Sequence, residues 1–117
     1  MSGLVSYLAG EAAEGQVARH YAGRGLEIIA RRWRGKGGEI DLIARDGRST
    51  IFIEVKKGRN HALAVTRLSR RQIARLYAAA SEYLGTLPGG LNSDARFDVA
   101  LVDEMGRIDV IENAICA

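Results

Sequence analysis

The chain has 117 residues, 47% of them apolar, and a net charge of +3, so it can form one hydrophobic core but not two. Its lone cysteine, Cys116, excludes a disulfide scaffold, and no apolar run approaches the ~18 residues that would span a membrane. Residues 1–6 lack the basic start and the cleavage site of a signal peptide. We therefore expect a single domain over residues 1–117, in the cytoplasm and without a membrane partner.

Hydrophobic periodicity predicts two helices and five strands. Apolar residues at helical spacing indicate helices over residues 6–22 and 66–84, with Thr66 as the cap of the second. A basic loop is expected from Lys57 to Val65 and another loop over 87–93. Period-two alternation and buried apolar runs indicate strands over 26–33, 38–43, 52–56, 97–102 and 107–112. The fourth strand is expected parallel to the third, so the predicted fold class is α/β, with helices flanking a small mixed sheet.

The two middle strands carry an unusual set of charged residues. Glu39 and Asp41 alternate with apolar residues in the first, as Glu54 and Lys56 do in the second, so each strand is predicted to be half-buried. A turn centred on Asp46-Gly47 would make Asp41 a diagonal neighbour of Glu54, roughly 7–8 Å away. Like charges that face each other across a sheet are destabilising, so we expect this acid patch to have a use.

The charge is distributed unevenly along the chain. Residues 19–75 hold 15 of the 17 Lys and Arg residues but only five acids, a local net charge of +10. An acid patch inside a basic stretch suits a polyanion whose phosphates are brought to a metal. The plainer interpretation is a solvated surface that is rich in arginine.

Several short segments of this sequence resemble the motifs of known families. Asp41 followed by Glu54-Val55-Lys56 on the next strand is similar to the split Asp…Glu-x-Lys signature of PD-(D/E)XK nucleases. The segments GGEIDLIARDG, FIEVK and RFDV…IDVIENA resemble sequences of the bacterial YraN-like family. This family is distantly similar to archaeal Holliday junction resolvases. The resemblance runs from about Gly10 to Ala114. It implies a restriction-endonuclease-like core with the order α-β-β-β-α-β.

The resemblance also implies roles for individual residues. Asp41 and Glu54 would hold Mg²⁺, with Mn²⁺ as a substitute and the backbone carbonyl of Val55 as a further ligand by analogy with those nucleases. Lys56 would orient a water or stabilise charge on the phosphate. Glu14 stands at the helix position where resolvase-like relatives carry an acid. It is expected to be another ligand or to position a water, and the alternative is an exposed helix acid.

Other residues are weaker candidates. Glu39 would lie at the rim of the acid patch, either as a supporting group or as a plain hairpin acid. Gln72 resembles a helical glutamine that some relatives place near the metal, although a solvent-facing glutamine is the commoner explanation. Gly58 replaces an arginine that relatives commonly carry after the Glu-x-Lys pair. The residues predicted to bind DNA are Arg34, Lys36, Lys57, Arg59, Arg67, Arg70 and Arg71.

Two functions of different classes follow. The first is a magnesium-dependent endonuclease acting on DNA, for which branched or structured DNA is the expected substrate. The second is a nuclease-fold module that binds DNA or assists assembly in repair or recombination without cutting. A homodimer would place two sites on a duplex or junction and is a hypothesis. No small-molecule substrate is evident.

Overall fold

The computed structural model describes the backbone of residues 3–114 and the side chains of residues 10–114. The predictions for Cys116 and for the start of the chain therefore lie outside the described residues. The elements are α1 (Gly3–Gly23), β1 (Glu27–Arg34), β2 (Glu39–Asp46), β3 (Ser49–Lys57), α2 (His61–Val65), α3 (Arg70–Leu84), a 3-10 turn (Gly90–Asn92), β4 (Ala95–Val102) and β5 (Ile108–Ile111). None of the described helices is both long enough and apolar enough to cross a bilayer.

The five strands form one mixed sheet in the order β1-β2-β3-β4-β5. Only β3 and β4 are parallel, and α2 and α3 lie in the crossover between them. The other three strand pairs are antiparallel. The predicted α-β-β-β-α-β order and the parallel fourth strand are therefore confirmed.

The sheet is covered on both faces, which corrects the expectation of half-buried middle strands. On one face, α1 packs Val17 and Tyr21 against Leu42 and Ile53. On the other face, a cluster built around α3 and Phe52 forms a second layer of the core. Strands that are buried on both faces need apolar residues at consecutive positions, as in Leu42-Ile43-Ala44.

The start of the long helix also differs from the prediction. Ser69, rather than Thr66, is the N-cap of α3, because its hydroxyl accepts a hydrogen bond from Gln72 N at 3.1 Å and Gln72 Oε1 accepts one from Ser69 N at 3.2 Å. This reciprocal pair is a capping box, and Thr66 instead ends α2. The expected basic loop contains α2, which Asn60 caps by accepting from Leu63 N.

The β2–β3 hairpin has a different register from the predicted one. Asp46 is opposite Ser49, so the two central turn residues are Gly47 and Arg48 rather than Asp46 and Gly47. Gly47 has φ +60, which favours glycine at the first central position, as in a type II′ turn. The new register, continued beyond the last backbone pair, brings Asp41 directly opposite Glu54 instead of diagonal to it.

The glycine-rich turn after β1 is packed against α3. A Cβ at Gly38 would lie 2.7 Å from the backbone oxygen of Arg75, and one at Gly37 would lie 2.8 Å from Ala78 Cβ. Glu82 also accepts hydrogen bonds from the backbone N–H of Lys36. The absence of side chains lets this turn approach the helix closely, so its glycines have a packing reason.

Gly38→Ala is expected to destabilise the fold by about 1–3 kcal/mol, because the new methyl group meets helix backbone that cannot move alone. Urea denaturation measures this free energy of unfolding. The matched control is Gly10→Ala in α1, where a Cβ meets nothing within 4 Å. There we expect stabilisation of roughly 0.5–1 kcal/mol from helix propensity. Equal effects of the two substitutions would contradict the packing role of Gly38.

Candidate active site

The candidate site lies where strands β2 and β3 separate. Their last backbone pair at this end is Leu42 with Ile53. One residue further, the side chain of Asp41 replaces the missing backbone acceptor, because its Oδ2 accepts a hydrogen bond from Val55 N at 2.8 Å. This bond fixes the Asp41 carboxylate beside the backbone of β3, next to Glu54.

Glu54 is an acid inside the protein, with only 9% of its surface exposed. Burial, together with a hydrogen bond and charge repulsion from Asp41, raises the pKa of Glu54 to about 9. Lys56 opposes this rise in pKa. Two carboxyl groups in contact cannot easily both ionise, so Glu54 is protonated at neutral pH in the absence of a cation.

Lys56 completes the pattern that the sequence predicts for this strand. Its Nζ lies 3.7 Å from Glu54 Oε1, and its side chain is only 14% exposed. Residues two apart in a strand share a face, which explains why the ammonium group reaches the same carboxyl group. The structure therefore brings Asp41, Glu54 and Lys56 together.

Glu14 approaches this cluster from helix α1. Its Oε1 accepts a hydrogen bond from Arg32 Nε at 2.9 Å, and its side chain is 15% exposed. Partial burial raises the pKa of Glu14, the Arg32 guanidinium opposes the rise, and the charge of Asp41 adds to it. Glu14 is thus a partly buried, ion-paired acid near the cluster rather than an exposed helix acid.

The two weaker candidates have other partners. Glu39 is exposed and pairs with Arg34, whose Nε lies 3.1 Å from Glu39 Oε2, which matches a position at the rim. Gln72 uses its side chain in the capping box of α3. Among the described residues, no hydrogen bond joins Gln72 to the acid cluster, so its role near a metal stays a prediction.

The seven basic residues predicted to bind DNA are all exposed. Arg34 lies at the end of β1 and Lys36 in the glycine-rich turn, while Lys57 ends β3, next to Lys56. The others, Arg59, Arg67, Arg70 and Arg71, lie on the segment that holds α2 and starts α3. Exposure permits contact with phosphates, and DNA binding by these residues stays a prediction.

The donor set fits a hard divalent cation. Mg²⁺ prefers oxygen ligands and keeps several waters, so two carboxylates and one backbone carbonyl can be sufficient. Asp41 and Glu54 supply carboxyl oxygens in contact with each other, and a cation held there would balance their negative charge. In the described part of the chain, no three His, Cys, Asp or Glu side chains gather closely enough to hold an ion together. A site here would therefore be of the two-carboxylate kind.

Arg32 has a part in this site that the sequence reasoning missed. It has φ +50, a left-handed conformation that is uncommon for residues other than glycine, and it carries the ion pair with Glu14. The available signal was the pair Arg31-Arg32 in a predicted strand, since two consecutive arginines break the alternation of buried and exposed positions.

Gly58, which follows the end of β3, has a packing explanation. A Cβ at Gly58 would lie 2.7 Å from Ala64 N. A side chain at position 58 would therefore collide with the backbone of α2.

Comparison with known proteins identifies the family. The family described as "Uncharacterised protein family UPF0102" matches residues 13–102. A UPF0102 protein of Cereibacter sphaeroides is 60% identical over the full length of both chains. Others from Ruegeria pomeroyi and Roseobacter denitrificans are 53% and 43% identical, covering 96% and 97% of this chain and 91% and 88% of their own. The YraN-like resemblance is thereby confirmed, and the chain belongs to the UPF0102 family.

Proposed function

We propose that this protein is a metal-dependent endonuclease that hydrolyses phosphodiester bonds in DNA. One observation carries the proposal: two carboxyl groups, Asp41 and Glu54, are held in contact beside Lys56 where the sheet opens. Burying paired acids costs stability, and a fold without a use for them would gain by replacing them. Perturbed acids of this kind are characteristic of functional sites.

Each residue of the cluster has a distinct role in this proposal. Asp41, Glu54 and the Val55 carbonyl would hold Mg²⁺, for which Mn²⁺ could substitute. The ion would supply positive charge to the scissile phosphate and acidify a bound water. Lys56 donates a hydrogen bond to a phosphate oxygen and stabilises the charge that develops there. Glu14 supports the cluster from α1, as the residue that positions a water.

Branched or structured DNA is the proposed substrate, in repair or recombination. The support is the resolvase-like signature and the basic stretch around the acid cluster. In a two-fold homodimer, two clusters would face two strands of one junction. Light scattering of the protein, alone and with a four-way junction, measures the molar mass and so the oligomeric state.

A DNA-binding or assembly module that does not cut is the second candidate. The observation that favours it is the lack of a third metal-binding side chain within the described part of the cluster. The burial of two acids beside a lysine opposes it, because a module that only binds DNA gains nothing from acids whose burial costs stability.

A cleavage assay separates the two candidates. Linear, flapped and four-way DNA are incubated with wild type, Asp41→Asn or Asp46→Asn, in magnesium or manganese. We expect wild type to cut at least one substrate, and Asp41→Asn to lose at least ~100-fold in rate while still binding DNA. Asp46→Asn is the matched control, the same chemical change at the exposed far end of β2, and should cut as wild type does.

Binding by wild type without cleavage of any substrate would favour the second candidate. Full cleavage by Asp41→Asn would show that the active site is not at this cluster. Binding of none of the DNAs would contradict both candidates.

A further inference from the structure

A second site is suggested by an open pocket between α1 and β1. It has a volume of about 650 Å³, and its charged lining residues are Glu11, Glu14, Arg19, Arg31 and Arg32. Glu14 lines this pocket, and the charge of Asp41 also raises its pKa, so the pocket adjoins the acid cluster. Three arginines against two acids leave the described lining with a positive balance, which favours an anionic ligand.

An irregularity in β1 directs two consecutive arginines to this pocket. Arg31 is opposite Leu42, which packs under α1, and side chains directly opposite each other share a face. Trp33, two residues along, packs on the α3 face instead. The change of face occurs at Arg32, whose φ of +50 departs from the regular strand. Arg31 and Arg32 therefore both line the pocket, although neighbours in a regular strand point to opposite faces.

The backbone of Arg32 is strained. A non-glycine residue in the left-handed region costs on the order of 1 kcal/mol or more, and it persists only where its surroundings hold it. Here the ion pair with Glu14 holds it, with the Arg32 side chain only 31% exposed. Strain of this kind is characteristic of binding and active sites, and irregular strand positions often serve to redirect a side chain there.

The three arginines differ in what they contact. Glu14 neutralises Arg32. Within the described part of the chain, no ion pair or side-chain hydrogen bond involves Arg19 or Arg31, and both are exposed. A guanidinium group offers a planar fork of donors that matches the oxygens of a phosphate. Arg19 and Arg31 are therefore free to bind an external phosphate.

We propose that this pocket binds a backbone phosphate of the nucleic acid, a neighbour of the phosphate at the acid cluster. Arg19 and Arg31 contact that phosphate, and Arg32 positions Arg31 and Glu14. The inference rests on the proposed function for its ligand, a nucleic-acid strand, but it does not require that the strand be cut. Contact at two successive phosphates would align the strand with Asp41 and Glu54.

Binding without cleavage tests the subsite. The affinity of a labelled duplex and a labelled four-way junction is measured by fluorescence anisotropy over a range of salt, without divalent ions. Each phosphate contact contributes about 0.9 to the slope of log affinity against log salt on duplex DNA. Arg19→Ala/Arg31→Ala is expected to weaken binding and to lower this slope by about 1.

Arg24→Ala/Arg48→Ala is the matched control. It removes the same charge from two exposed arginines outside the pocket, one just after α1 and one in the hairpin turn. Its slope should stay close to that of wild type. Thermal melting verifies that both double variants are folded, as expected for exposed side chains.

Neutral phosphates locate the contact. In a series of duplexes, a single methylphosphonate replaces one phosphate at a time. For wild type, we expect a methylphosphonate at one particular position to reduce the affinity for DNA. In Arg19→Ala/Arg31→Ala, the same replacement should leave the affinity unchanged, because the contact between that phosphate and the arginines has already been lost.

The outcomes separate this inference from the proposed function. Equal slopes for the two double variants, or no position that becomes indifferent, would overturn the subsite even if wild type cuts DNA. A lowered slope specific to Arg19→Ala/Arg31→Ala would support it even if no substrate is cut. Failure of wild type to bind either DNA would overturn the subsite as well.

Discussion

Glu54→Gln is expected to remove a large pH-dependent part of the stability of this fold. In the folded protein Glu54 keeps its proton up to about pH 9, because it is buried against Asp41. An unfolded glutamate releases its proton near ~4.3. Between these values the folded state binds the extra proton, so wild-type stability falls as pH rises, by up to ~1.4 kcal/mol per pH unit. The stability that the raised pKa of Glu54 contributes is fully present below the pKa of the unfolded glutamate. It is lost as the pH rises above the pKa of Glu54 in the folded protein.

Glutamine has the shape of a protonated glutamate but cannot ionise. We therefore expect wild type and Glu54→Gln to have similar free energies of unfolding at pH 5, and Glu54→Gln to be more stable by several kcal/mol at pH 9. Urea denaturation at pH 5, 7 and 9 measures the difference. Glu27→Gln, at an exposed acid of β1, is the matched control and should follow wild type at every pH. A constant difference between wild type and Glu54→Gln would contradict the raised pKa of Glu54.

Magnesium binding should compete with protonation of Glu54. Carboxylates must lose their protons to bind a cation, so the affinity of the site rises with pH. A cation bound only by the folded state at 100 times its dissociation constant would stabilise it by ~2.7 kcal/mol. We expect magnesium to raise the melting temperature of wild type more at pH 8 than at pH 6. Glu54→Gln should respond little at either pH, and manganese should have a larger effect than magnesium on wild type.

The sequence predicted the composition of the site better than its geometry. Period-two alternation placed Asp41, Glu54 and Lys56 on neighbouring strands because strand periodicity is a local property. The register was wrong by two residues, since both Asp46-Gly47 and Gly47-Arg48 are acceptable turns locally. A shift of two residues leaves each side chain on the same face, so periodicity cannot distinguish the two registers, and the tertiary packing that does depends on residues distant in sequence.

The remaining errors have the same origin. Thr66 and Ser69 are both good caps, and only the reciprocal bond with Gln72 favours Ser69. The positive φ of Arg32 could not be predicted, because a strained residue is held by its tertiary surroundings, in this case by Glu14 on a distant helix. The protonated state of Glu54 was also missed: the sequence suggests two repelling charges, whereas burial favours a protonated Glu54.

Asp98→Ala is expected to cost about 3–5 kcal/mol of stability, a large fraction of the ~5–15 kcal/mol available to a domain of this kind. Asp98 is wholly buried at the sheet. Its carboxylate accepts hydrogen bonds from Tyr21 Oη at 2.8 Å, from Arg96 Nε at 3.0 Å and from Asn113 N at 2.9 Å. Removing it leaves three donors without this acceptor, one of them a guanidinium charge. The same bonds join α1, β4 and the segment after β5.

Graded variants show whether Asp98 acts as the centre of this network. Tyr21→Phe deletes one donor and should cost only about 1 kcal/mol, because the carboxylate keeps its other partners. In the double variant Asp98→Ala/Tyr21→Phe, the cost should be less than the sum of the two, since the bond is already lost. Asp109→Ala, at an exposed acid of β5, should change stability by less than about 0.5 kcal/mol. Urea denaturation of the four variants decides the matter: if Asp98→Ala is as mild as Asp109→Ala, the network does not hold these elements together.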